Sequence, residues 1–162
     1  MLENSQKSTE EIRNRVIFFL LFLTSEKCIE ACSKFITPEK LIFKLSKIWC
    51  NDIFVPGRVF IDAVKNDYSE KSSRIFQDCF DIEEYDVLER FHIFFDLRLN
   101  MLSEKSKNNA EFPVTDMWEN ILKDARYVLD EITPDQKKLR IELEQKVNQA
   151  LENNKNILDG FL

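Results

Sequence analysis

Residues 81–102 read DIEEYDVLERFHIFFDLRLNML, and the spacing of their apolar side chains decides the fold class. Leu88, His92, Phe95, Leu99 and Leu102 make one stripe at three- and four-residue intervals. Val87, Phe91, Phe94 and Met101 make a second, and Ile93 with Leu97 reach a third. That period belongs to an α-helix, and a helix apolar nearly all round is expected at the centre of its domain. Asp81 with Glu84 three residues on forms a capping box at its start, and the pattern runs to about Glu104. Charges on such a helix need partners. Asp86 and Arg90, four apart, can pair with each other. Arg98 sits between Phe94 and Met101 with no complement one turn away, so a carboxylate from another helix is expected to meet it.

The rest of the chain supports the same architecture. It has 162 residues, 44% apolar and 32% charged, with two glycines and four prolines, which leaves little material for turns. A chain of this length buries roughly 70% of the surface it exposes when unfolded. Fourteen Phe residues exclude disorder over most of it. The expected fold is an all-α, single-domain helical bundle of about five to seven helices spanning residues 1–162, with the helix near 82–104 at its centre.

The other elements follow from caps and breakers. Ser8 and Glu11 form a capping box for a first helix running to about Ile36. It contains the run VIFFLLFL at Val16–Leu23, continued in phase by Cys28, Ala31 and Phe35. Eight apolar residues are far short of the roughly 20 that span a bilayer, and Glu3, Glu10 and Glu11 ahead of them do not suit a signal peptide. Thr37-Pro38-Glu39 opens a second helix to about Trp49, and Cys50–Arg58, with Pro56-Gly57, is a break. Short helices are expected over Val59–Lys65 and Glu70–Phe80. The polar stretch SEKSKNNAEFPVT, 103–115, reads as a flexible loop. Asp116–Ile132 follows as an ordinary core-facing helix, and a C-terminal helix lies within 134–158.

Charge and cysteine usage narrow the function. Residues 1–80 carry 12 basic and 11 acidic side chains and residues 81–162 carry 11 and 18, so the acidity, net −6 overall, lies in the second half. An acidic protein of this kind repels phosphate, and neither nucleic acid nor a membrane is expected as its partner. Cys28, Cys32, Cys50 and Cys79 read as reduced structural thiols, which places the chain in the cytoplasm. With one histidine, His92, their spacing fits no zinc site, and no cofactor or metal is expected.

Three groups of residues are candidates for function. Glu89, His92 and Asp96 share one region of the helix surface, and with Arg98 they are the candidate catalytic or ligand-binding set. The Glu-x-x-His unit of a di-iron bundle occurs only once, and the second group and cavity that acid–base catalysis requires are not apparent. The apolar stretch Ile53-Phe54-Val55 beside Trp49 reads first as a packed connection; exposed, it would be a partner-binding patch with Trp49, Ile53 and Phe54 as candidates. Leu143, Val147, Ala150, Asn154, Ile157 and Phe161 keep a four-three alternation, a thin seam that reads first as closing the bundle against the earlier helices; alternatively it holds a partner protein or a weak homodimer, with Leu143, Val147 and Asn154 as candidate contacts. The expectation is a non-enzymatic accessory or regulatory protein acting through protein–protein contacts; the alternative is a small helical enzyme or ligand-binding protein with a pocket near His92, Asp96 and Arg98.

Overall fold

The computed structural model describes residues 2–55, 70–106 and 115–160, and among these the regular structure is helical throughout. Seven α-helices are present: α1 (Leu2–Leu23), α2 (Glu26–Ser33), α3 (Pro38–Ile48), α4 (Glu70–Gln77), α5 (Ile82–Ser106), α6 (Thr115–Ile132) and α7 (Lys137–Glu152). A π-helical turn, Trp49–Ile53, extends α3, and a 3₁₀ turn, Ile157–Gly160, follows α7. The all-α bundle is the fold expected from the sequence. The expected helix at Val59–Lys65, the Pro56-Gly57 turn and Phe161 lie outside the described residues. Of the expected loop at 103–115, residues 103–106 continue α5, Thr115 begins α6, and 107–114 lie outside the described residues.

Several starts match the sequence signals. The capping box of α5 is reciprocal: Glu84 N–H donates to Asp81 Oδ1 at 2.7 Å and Asp81 N–H donates to Glu84 Oε1 at 3.0 Å. Thr37 caps α3 through its hydroxyl, which accepts from the Lys40 N–H. The first helix departs from expectation at both ends. It begins at Leu2, so Ser8 is internal, and it stops at Leu23 rather than near Ile36. There Ser25 turns extended (φ −102°, ψ 112°) and caps α2 by accepting from Cys28 N–H, while the Thr24 hydroxyl takes the α1 carbonyls of Leu20 and Leu21.

The centre of the bundle is the second half of α1. Val16, Ile17 and Phe19–Leu23 are buried, with α2, α6, α7 and the π turn packed around them. The helix expected near 82–104 is α5: it packs against α3 on one flank and α6 on the other and buries Leu88, Phe91, Phe95, Leu99 and Leu102, while its outward side stays open. A helix apolar all round needs neighbours all round to be buried, and α5 has them on only part of its circumference.

Arg13 fastens this arrangement. Its guanidinium grips Glu84 of α5 with two hydrogen bonds of 2.9 and 3.0 Å, donates to the Cys79 carbonyl after α4 at 2.9 Å and lies over the Phe80 ring. The bidentate contact holds the Glu84 carboxyl below its usual range.

α7 covers the core through Leu143 and Val147, both buried. The expected C-terminal seam is corrected at Asn154. The helix ends at Glu152, and Asn154 takes the left-handed conformation (φ 54°) that closes it. Lys155 N–H returns to the Ala150 carbonyl at 2.8 Å and Asn154 N–H to Leu151 at 3.0 Å, the paired bonds of a Schellman cap. Asn tolerates that backbone better than most side chains, so its place in the seam reflects a helix stop.

Candidate functional site

The two flanks of α5 carry different chemistry. The flank toward α3 holds His92 and Asp96 against the π turn. The widened turn keeps the Trp49 ring on the buried side of the chain, where Phe19, Phe91 and Phe95 surround it at centroid distances of 5.2, 5.3 and 5.8 Å. Phe54 stacks on Trp49 at 5.4 Å and on the His92 ring at 4.3 Å.

Trp49 Nε1–H donates to His92 Nδ1 at 3.0 Å. An indole nitrogen can only donate, so His92 is the neutral tautomer with its proton on Nε2. Burial lowers the pKa of His92, and the Asp96 carboxylate pulls it partly back. Cys50 Sγ lies 3.9 Å from Asp96 Oδ1. Its thiol is pushed up to about 11, first by burial and then by that carboxylate. A thiol so placed is protonated at neutral pH. Cys79 is spent on the Ile75 carbonyl at 3.1 Å, and its pKa too is raised by burial. None of the four cysteines is in a disulfide; three are buried and Cys50 is half-buried.

The flank toward α6 holds Arg98. It pairs with Asp124 of α6 and lies 5.3 Å over the Phe94 ring, so the carboxylate expected from another helix is present. The candidate set is therefore divided. His92 and Asp96 face α3, Arg98 faces α6, and Glu89 is half-buried one turn from His92. No cluster of three or more His, Cys, Asp or Glu side chains suited to a metal occurs among the described residues.

Of the two readings of the stretch beside Trp49, the packed connection holds and the exposed patch does not. Trp49, Ile53 and Phe54 are buried in the chain's own core, as are Leu143 and Val147, because the π turn and α7 close over α1 and α5. Asn154 is exposed, at the helix cap described above.

The apolar surface lies on α5 itself. Ile93, Phe94, Leu97 and Met101 stand on its outward side, and Tyr127 of α6 flanks them; each is between 44% and 60% exposed. Phe94 and Tyr127 line one groove of about 170 Å³ between the two helices, together with Val87, Arg90, Phe91, Asp124 and Val128. Arg90, which lines it, is paired with Asp86 at 3.3 Å, and the lining Asp124 is paired with Arg98. These four α5 residues were visible in the sequence as part of an all-round pattern, but that pattern gave no sign of which side would stay open.

No family model, no curated protein and no solved structure matches the chain. No helix among the described residues is long and apolar enough to cross a membrane.

Proposed function

We propose that the chain is a non-enzymatic accessory or regulatory protein acting by protein–protein contact, and that the outward face of α5, with the α5–α6 groove, is the contact surface. The observation that supports this is the row Ile93, Phe94, Leu97 and Met101, held on a rigid 25-residue helix and left open to water. Single exposed apolar side chains are ordinary on a protein surface, whereas a contiguous row on one helix is the usual form of a docking face. The α5 segment is anchored through its inner stripe and through Arg98 and Glu84, so presenting that row costs a partner little ordering entropy.

The alternative, a pocket near His92, Asp96 and Arg98, has less support. Trp49 occupies the basic nitrogen of His92, and Arg98 points to the opposite flank. Affinity purification of the parent beside Leu97→Glu and a control, Ile141→Glu on exposed α7 surface, tests the reading. Stoichiometric co-eluting proteins should be lost from Leu97→Glu and kept by the control. Identical recovery with all three, from a parent that is also monomeric, would sink it.

A further inference from the structure

We infer that the occupant of the α5 face is a second copy of this chain, paired with the first through an antiparallel contact of the two α5 helices on a two-fold axis at Leu97. The inference rests on the contact surface proposed above and adds the identity of the partner.

The register of the exposed row favours it. Leu97 stands four residues after Ile93 and four before Met101. In an antiparallel pair centred on Leu97, each Leu97 meets its own copy and Ile93 comes level with Met101 of the other chain. Phe94 comes level with Asn100, which sets the ring beside the Met101 thioether, a favourable contact for a polarisable sulfur. A two-fold contact must be self-complementary in this way.

Charge agrees with the register. The chain carries a net charge of −6, so two copies meeting on most surfaces would repel. Ile93, Phe94, Leu97 and Met101 are themselves uncharged; Asp96 and Arg98, between them in sequence, turn to the flanks toward Cys50 and Asp124, and Arg90 is paired with Asp86. This face brings no uncompensated like charges together.

Area sets the strength. Five large side chains about half exposed offer on the order of 100 Å² each, so roughly 500 Å² of apolar surface per copy. A stable interface takes about 800 Å² per partner, which the polar edge at Arg90, Asn100 and Asp124 must complete. The dimer should therefore be weak, with a Kd of about 10–100 µM.

Sedimentation equilibrium of the whole chain from about 1 µM to about 500 µM, bracketing that Kd, tests the inference. The parent should pass from monomer to dimer, and Leu97→Glu should remain monomeric with an unchanged circular dichroism spectrum. Ile93→Lys serves the same purpose if Leu97→Glu fails to fold. Under mild oxidation, Leu97→Cys should cross-link to itself as the residue on the axis, while the parent and Phe43→Cys, on exposed α3 surface, should not. A parent that is monomeric throughout, or a dimer that survives both charged substitutions, overturns the second-copy assignment. In the first case the docking face itself still stands if Leu97→Glu loses proteins that co-elute with the parent, and falls if it loses none.

Discussion

α1 and α5 both contain long apolar stretches, and the bundle treats them differently. Residues 16–23 of α1 are enclosed by α2, α6, α7 and the π turn, so nearly every side chain there is in the core. Among the described residues α5 packs mainly against α3 and α6, and Ile93, Phe94, Leu97 and Met101 remain in water. Apolar periodicity thus marks a surface that can be buried, while the number of neighbouring helices decides whether the chain buries it. In α1 the apolar content is explained by folding. In α5 four large apolar side chains, Ile93, Phe94, Leu97 and Met101, are not explained that way, and they are what the proposed contact uses.

The comparison can be broken first at α1. Phe19→Ala should destabilise by about 3–5 kcal/mol, because Phe19 is fully buried against Trp49 and Phe95 and its removal leaves a cavity that the surrounding rings cannot close. Urea denaturation measures this. A loss below about 1 kcal/mol would place the centre of the core elsewhere.

The fastening between the two regions comes next. Arg13→Ala should cost about 2 kcal/mol by leaving Glu84 without its partner and the Cys79 carbonyl without its donor. Arg13→Lys should recover only part of this, since an ammonium cannot reproduce the bidentate grip. Full recovery by Lys would show that charge alone matters there.

The inner flank of α5 should respond to pH. His92 is neutral in the fold and its pKa is lowered from an ordinary value of 6.5, so the unfolded chain binds its proton more readily than the folded one. The stability associated with it is present above pH 6.5 and is lost as pH falls through the folded value. A protonated Nδ1 would also face the Trp49 N–H, donor against donor, and should disturb the fluorescence of this fully buried indole. Glu84, also lowered, contributes a second loss that begins only below its ordinary value of 4.5. Thermal unfolding between pH 7 and pH 5 should therefore show a fall in Tm that His92→Gln flattens. An equal fall in that variant would assign the dependence to other groups.

How much of this was legible in the sequence differs between local and tertiary features. The Asp81–Glu84 box, the Thr37 cap, the Asp86–Arg90 pair and the need of Arg98 for a carboxylate were readable because each depends on residues a turn apart or on the cost of an unpaired charge. The break at Thr24-Ser25 was hidden because the apolar phase continues from Leu20 to Cys28 across it. Asn154 has the spacing of a seam residue and the conformation of a helix stop, and spacing alone does not separate these. Arg13 was missed because Cys79 and Glu84, its partners, lie 66 and 71 residues away. Of the candidate site, the side chains of α5 were legible as apolar, and their exposure was not, since it is set by helices that pack elsewhere.

The smallest expected effect tests the division between α1 and α5 most directly. In urea denaturation at a protein concentration low enough to keep the chain monomeric, Leu97→Glu should unfold within about 0.5 kcal/mol of the parent, because the side chain is exposed and Glu suits a helix nearly as well as Leu. A loss of about 2 kcal/mol or more would contradict this and show that the chain itself buries the outward face of α5.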